Sequence, residues 1–318
     1  MNEGRQAEIF LRQAEYCETR SPLYAELCRR FADDRRVGEL APDLRWDFPL
    51  RLLGGLHYLV LAAHASWDGV DDALEDHADF LARFTAEQDV QTNEVRRAWA
   101  LLPGLLSAGA PRIDLLELGA SAGLLLEFDR YGYRYRAGSW GDGALVLDGD
   151  DRGGPPAELL ARRLSVGRRR GVDLNPVDVT SDHGARLLQA FVWPDQVDRM
   201  ERLRAAIELV RDEPPELVRG DYVELLPRLL EERRDDALTV VFDSVSTVYL
   251  DEERYQELVV ALAQAGRDGP LAWLSLEGPR DDREYGATAL ELTVWPGGRT
   301  RRLAKVDFHC AWLEWFAS

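Results

Sequence analysis

The sequence predicts an α/β chain: a mostly parallel, doubly wound sheet with an antiparallel C-terminal edge, preceded by an α-helical N-terminal region. Three observations predict it. Up to about residue 108, apolar side chains recur only at helical spacing. From Pro111 onward, short apolar runs alternate with helical stretches, as in successive βαβ units. Near the C-terminus, two apolar runs flank Pro296-Gly297-Gly298, a hairpin signal. The division expected is a helical cap region over 1–108 and a sheet domain over 109–318.

In the N-terminal region, residues 7–17, 22–32, 49–64, 73–85 and 93–106 repeat apolar positions every three or four residues. Ser21-Pro22 reads as an N-cap followed by an N1 proline. Asp71 or Asp72 is placed to cap the helix opening at Ala73. In the second region, strands are expected at 114–118, 170–174, 216–219, 238–243 and 271–276. Helices are expected at 122–130, 183–191, 194–211, 222–232 and 252–265. Residues 290–295 and 299–308 form the closing hairpin. Residues 131–167 interrupt the alternation; Tyr133-Arg-Tyr135 and Ala144-Leu-Val-Leu147 read as an inserted hairpin around a Gly-rich turn.

Composition narrows the function. With 46% hydrophobic and 30% charged residues the chain is too apolar for disorder. Its formal charge of −18 disfavours nucleic acid and anionic membranes as partners and argues for a small molecule or a protein as substrate, a small molecule being the one expected here. Lys305 is the only lysine, which excludes a P-loop and argues against Schiff-base chemistry. Cys17, Cys28 and Cys310 are scattered, with no metal-ligand spacing, so no metal site and no disulfide framework is expected. The N-terminus lacks an apolar signal segment and no apolar run reaches membrane-spanning length, which predicts a cytoplasmic protein.

The most informative stretch is Ile113-Asp-Leu-Leu-Glu117-Leu-Gly119-Ala120-Ser121-Ala-Gly123-Leu. A strand run ends in an acid, small residues follow, and an apolar helix is expected next. Gly119 allows a sharp turn. Ser121 and Gly123 stay small where a ligand approaches the backbone, and the next helix presents free amides. Glu117 suits a cationic amine or a hydroxyl pair. The same letters fit two chemistries. As E-x-G-x-S-x-G they are similar to motif I of class I S-adenosylmethionine-dependent methyltransferases. As G-x-S-x-G they match the nucleophile elbow of α/β-hydrolases, with Ser121, Asp243 and His309 in the chain order of a triad. Against the hydrolase stand the helical sequence before Ile113, the absence of an oxyanion segment, and the reading of His309 as part of a strand.

Later strand ends favour the cofactor loop. Asp173, in Gly171-Val-Asp173-Leu-Asn175-Pro, ends the second core strand with an acid suited to ribose hydroxyls. Asp148 is the alternative ribose acid. Asp221 follows the third strand, on the adenine side. Asp243-Ser244 follows the fourth and Glu277 the fifth, where transfer would occur. Ligands of open α/β sheets bind outside the carboxyl ends of strands. Thr92-Asn93-Glu94 either caps the helix leading into the sheet or reaches over the cofactor.

Seven motifs spread along the chain then coincide with one family. They are Ser21-Pro-Leu-Tyr24, Gln91-Thr-Asn-Glu94, Leu116-Glu-Leu-Gly-Ala-Ser-Ala-Gly-Leu124, Gly171-Val-Asp-Leu-Asn-Pro-Val-Asp178, Val192-Trp-Pro-Asp-Gln196, Val218-Arg-Gly-Asp221 and Leu276-Glu-Gly-Pro279. The chain resembles the bacterial family called domain of unknown function 2332. It departs from that pattern at Leu125 and at Phe242-Asp243-Ser244. The resemblance implies a Rossmann-like class I methyltransferase sheet with a helical N-terminal region. The cofactor expected is S-adenosylmethionine, held by Glu117, Gly119, Ala120, Ser121, Gly123, Asp173, Asn175, Asp221 and Asn93. Asp243, Ser244 and Glu277 stand at the transfer site. Alternatives are a non-catalytic S-adenosylmethionine or nucleotide-binding module and a nicotinamide-binding oxidoreductase; the second is weakened by the missing G-x-G-x-x-G spacing.

Overall fold

The computed structural model describes residues 3–41, 44–91, 94–278 and 287–316. The first helices are α1 (Glu3–Cys17), α2 (Pro22–Phe31), α3 (Arg35–Glu39), α4 (Phe48–Leu61), α5 (Val70–Asp76), α6 (Ala78–Glu87) and α7 (Arg97–Ser107). Strand β1 (Arg112–Leu118) follows, then β2 (Gly132–Tyr135), β3 (Gly138–Trp140), β4 (Val146–Leu147), β5 (Asp150–Asp151), α8 (Ala157–Leu160) and β6 (Ser165–Asp173). Next come α9 (Asp182–Ala190), α10 (Val197–Arg211), β7 (Glu216–Arg219), α11 (Tyr222–Glu231), β8 (Leu238–Ser244) and α12 (Glu252–Asp268). Strands β9 (Leu271–Glu277), β10 (Ala287–Trp295), β11 (Arg299–Asp307) and β12 (Trp312–Trp315) complete the chain.

Two compact units result: Met1–Asn93 with Asp178–Ala205, and Glu94–Val177 with Ala206–Ser318. Helix α7 therefore groups with the sheet, and α9 with the N-terminal helices. In the helical unit, Ser21 caps α2 by accepting from the Tyr24 amide (3.2 Å), with Pro22 behind it. Asp195 in turn accepts from the Ser21 hydroxyl at 2.6 Å, joining two of the motifs. Phe10 meets Phe31 and Phe48 edge to face at the centre of this core. The helix expected over 73–85 is divided into α5 and α6, because the backbone leaves helical geometry at His77. Asp71 and Asp72 lie inside the first turn of α5, not ahead of it.

In the second unit, nine strands run in the order β5-β12-β11-β10-β9-β8-β1-β6-β7. The five core strands β7, β6, β1, β8 and β9 are parallel, and β10, β11 and β12 add an antiparallel edge. Strand order reverses beside β1, so the topological switch point, where open α/β sheets bind ligands, lies at the carboxyl ends of β1 and β8. Side chains of a strand alternate between faces. Leu116, Leu118, Val172, Val241 and Leu271 face α11 and α12, packing on Leu226, Leu230, Leu258 and Leu262. Helix α7 lies against β9: a Cβ on Gly104 would stand 2.5 Å from Leu274.

Three local expectations are corrected. Residues 124–130 form a 3-10 helix, not an α-helix, because Gly123 enters it left-handed (φ +71°) and Glu127 is non-helical. Ala144–Leu147 does not return antiparallel: β2 makes its hairpin with β3, and β4 runs parallel on its other side. His309 lies beyond the end of β11, in a tight turn where Asp307 accepts from its amide (2.8 Å).

Candidate functional site

The turn after β1 is built from three left-handed residues: Gly119 (φ +73°), Ser121 (φ +51°) and Gly123 (φ +71°). Glycine adopts this region freely, whereas for Ser121 it costs on the order of 1–3 kcal/mol and must be imposed by surroundings. Backbone hydrogen bonds impose it. The Gly119 and Ala120 amides both donate to the Val172 carbonyl, at 2.8 and 3.1 Å. The Ser121 amide donates to Asp173 Oδ2 (2.8 Å), and the Ser121 carbonyl accepts from Val177 (3.1 Å). The amides of Gly119, Ala120 and Ser121 are thus committed within the protein. A Cβ on Gly119 would stand 2.5 Å from the Ser246 Cβ, so close internal packing is reason enough for that glycine.

Glu117 ends β1 with its side chain buried, and its Oε2 has no hydrogen-bond partner. Burial pushes its carboxyl well above the usual carboxylate range; the Asp173 charge adds to this and Arg97 opposes it. Asp173 lies beside the loop at the end of β6. It uses Oδ2 on Ser121 and Oδ1 on the Asn175 amide (2.8 Å), so it staples the loop to the strand end. Asn175 is exposed, and its side-chain oxygen accepts from Arg219 (2.9 Å). Asp148, the alternative ribose acid, is an exposed partner of Arg134 at 3.3 Å. Asp221 caps α11 through the Val223 amide (2.8 Å) and accepts from Arg254 (2.6 Å), so both its oxygens are engaged. Asn93 lies outside the described residues.

At the ends of β8 and β9, Asp243 is fully buried and accepts from Trp273 Nε1 (2.6 Å) and the Ser275 hydroxyl (2.8 Å). Glu277 accepts at Oε1 from the Ser246 and Thr247 amides, at 2.6 and 2.8 Å. Burial raises the proton affinity of both carboxyls. Asp243 is also repelled by Glu277, whereas the two amides oppose the rise at Glu277, whose Oε2 is buried without a hydrogen-bond partner. Between them, Val245 is left-handed (φ +54°), an outlier for a β-branched residue, held by its amide bond to the Leu276 carbonyl. Ser246 bonds the Leu118 carbonyl (2.8 Å), tying the β8 loop to β1. The Ser244 hydroxyl is buried without a partner. Both Asp243 oxygens are taken by Trp273 and Ser275, so the geometry gives no support to a triad with His309.

The residue missed from the sequence is Arg97. It opens α7, is buried, donates from Nη1 to the Ser244 carbonyl (3.0 Å), and acts electrostatically on both Glu117 and Glu277. One signal was available: α7 is otherwise apolar, and a cation in the first turn of a helix opposes the macrodipole. The residues brought together are Glu117, Asp173, Ser121, Ser244, Asp243, Glu277 and Arg97, all around the switch point. Asp148 is not among them. Among the described residues no group of three His, Cys, Asp or Glu could hold a metal ion, and no helix is long and apolar enough to cross a membrane.

Three solved structures are similar to the chain at low similarity. One is a S-adenosylmethionine-dependent methyltransferase from Clostridium acetobutylicum ATCC 824, 12% identical, covering 75% of this chain and 80% of that one at a TM-score of 0.24. A second is the glycopeptide N-methyltransferase MtfA complexed with S-adenosyl-L-homocysteine, 20% identical, covering 73% and 71% at a TM-score of 0.24. The third is cofactor-bound Rv0187 from MTB, 14% identical, covering 64% and 75% at a TM-score of 0.24. No curated protein matches the sequence. Residues 7–315 match the family described as an uncharacterized protein conserved in bacteria, domain of unknown function 2332, and the chain belongs to that family.

Proposed function

We propose that the chain is a methyltransferase that binds S-adenosylmethionine across the carboxyl ends of β1, β6 and β8 and acts on a small-molecule acceptor. The observation that carries this reading is Glu117: a buried acid with an unpartnered oxygen, at the switch point, beside a fixed left-handed loop. An unsatisfied buried acceptor costs about 1–3 kcal/mol and persists where a ligand supplies the missing bond. S-adenosylmethionine when bound supplies an electrophilic methyl group. Glu117 is assigned to its polar end. The turn Gly119-Ala120-Ser121-Gly123 accommodates the adjoining chain, and Asp173 keeps its outer lone pairs for ribose hydroxyls. Asn175 and Asp221 border the adenine side. Ser244, with its free hydroxyl, faces the transfer position. Asp243 and Glu277 hold the loop that carries it.

A second reading has its own observation. Asp243 spends both oxygens on Trp273 and Ser275 and is not free to take a proton from an acceptor, while Glu277 spends Oε1 on the Ser246 and Thr247 amides and keeps only a buried Oε2. That favours either an acceptor needing no general base or a module that binds without transfer. Calorimetry with S-adenosylmethionine and S-adenosylhomocysteine tests the first point: micromolar binding, abolished by Gly119→Arg, is expected, and absence of binding by either compound refutes the reading. Methyl transfer across a metabolite panel then separates enzyme from binding module.

A further inference from the structure

Arg97 is a planar cation with an unusual set of neighbours. Nη1 is fixed on the Ser244 carbonyl, and the Phe308 ring lies 5.5 Å from Cζ. The remaining edge, Nε with Nη2, is buried and has no hydrogen-bond partner. These two nitrogens carry the parallel N–H pair that matches a carboxylate in a bidentate bond. Glu117 and Glu277 are near enough to feel the charge, yet neither is bonded to that edge. Glu117 and Glu277 each keep an unpartnered Oε2, but Glu277 is fixed through Oε1 on the Ser246 and Thr247 amides. Arg97 is held on the end of β8, and Glu117 ends β1, the strand paired with β8, each with buried polar atoms that lack a partner.

We propose that Arg97 and Glu117 together form a receptor for the zwitterionic head group of an α-amino acid, the Arg97 Nε–Nη2 edge taking the carboxylate and Glu117 the ammonium. A phosphate fits less well: it would bring a second negative charge next to the Glu277 carboxylate, and it has no use for Glu117. The head group has two sources, the methionine end of S-adenosylmethionine or an amino-acid acceptor. The assignment rests on the S-adenosylmethionine reading for the first source only.

The test uses Arg97→Gln, which keeps volume but loses the charged fork, and Arg97→Lys, which keeps the charge alone. S-adenosylhomocysteine is compared by calorimetry with 5′-methylthioadenosine, which lacks the amino-acid head. If the head is the cofactor's, wild type prefers S-adenosylhomocysteine by roughly 10- to 100-fold. That preference collapses in Arg97→Gln, recovers in part in Arg97→Lys, and methylthioadenosine binds all three alike. If the head is the acceptor's, both nucleosides bind all three proteins alike. One of the twenty common L-amino acids then raises the melting temperature of the S-adenosylhomocysteine complex, and Arg97→Gln removes that shift. Equal nucleoside binding with no amino-acid effect overturns the proposal while leaving the cofactor reading intact. Failure of wild type to bind S-adenosylhomocysteine refutes the cofactor reading, and the amino-acid titration on the protein alone then decides the role of Arg97. Unchanged circular dichroism in at least one variant secures the comparison.

Discussion

Gly119→Ala isolates the forces that shape the turn. Two costs are expected. A non-glycine residue at φ +73° costs about 1–2 kcal/mol relative to its preferred regions. The new Cβ would also stand 2.5 Å from the Ser246 Cβ, closer than carbon atoms pack, and relieving it costs about 1–3 kcal/mol. Together they predict a loss of about 2–5 kcal/mol, read as a lower urea midpoint at unchanged slope. The two parts separate in a double-mutant cycle. Ser246→Gly alone loses the bond to the Leu118 carbonyl, about 1 kcal/mol. In that background the steric part of Gly119→Ala disappears and only the backbone part remains. The coupling is therefore expected at about 1–3 kcal/mol, well beyond the few tenths seen for independent sites. Additive losses would refute the contact between turn and β8 loop as the reason for glycine here.

The other predictions concern buried and stapling acids. Asp173→Ala removes two charge-assisted bonds to backbone amides and is expected to cost about 2–4 kcal/mol in urea unfolding, the half-exposed carboxylate holding it below the sum of two buried bonds. A loss under ~0.5 kcal/mol would show the loop to be held elsewhere. Glu117 has a raised folded proton affinity, so its contribution is fully present below the ordinary glutamate range and is lost as pH rises toward its folded value. Glu117→Gln stays neutral, so its stability relative to wild type is expected to improve between pH 5 and pH 8; the opposite trend would contradict the burial argument. His57, buried in the helical unit, is lowered to about 4 by desolvation, with backbone carbonyls of Ala190 and Val192 opposing. Its neutral form stabilises the fold above the ordinary histidine range, and that stability is lost as pH falls from about 6.5 toward 4. Replacing it by Leu should flatten that slope in urea midpoints, and an unchanged slope would place the titration elsewhere.

How much of this was legible in the sequence depends on range. The five core strands were readable because parallel strands buried on both faces are near-continuous apolar runs, as in Leu238-Thr-Val-Val-Phe. The acids at their ends were readable because a strand's end fixes where its last side chain stands. The 3-10 segment after β1 was not, since Leu124-Leu-Leu-Glu-Phe has apolar spacing compatible with either helix, and the choice is made by hydrogen bonds from Ser121 to Asp173 and from Gly119 to Val172. Ser121 and Val245 as left-handed residues run against their local propensities; contacts 52 residues away in the first case and with β9 in the second hold them there. Arg97 meets Ser244 across 147 residues, a distance no local pattern spans.

Hydrogen-bond accounting also divides the polar residues of the switch point into two kinds. Asp173 and Asp221 use backbone amides, helix caps or ion pairs, and their removal is felt first in the loops they hold; Glu277 does so with Oε1 alone and keeps Oε2 unpartnered. Glu117, Arg97 and the Ser244 hydroxyl are as deeply buried but keep buried atoms without partners. Buried polar atoms are almost always satisfied in folded proteins, because each exception costs as much as a sizeable share of net stability. Such exceptions around the ends of β1, β8 and β9 are therefore far more informative than the glycines of the turn, which backbone geometry and Ser246 already explain. On the proposed reading the ligand's polar atoms are to be sought opposite Glu117, Arg97 and Ser244, while Asp243, which looked catalytic in the sequence, spends both oxygens on Trp273 and Ser275.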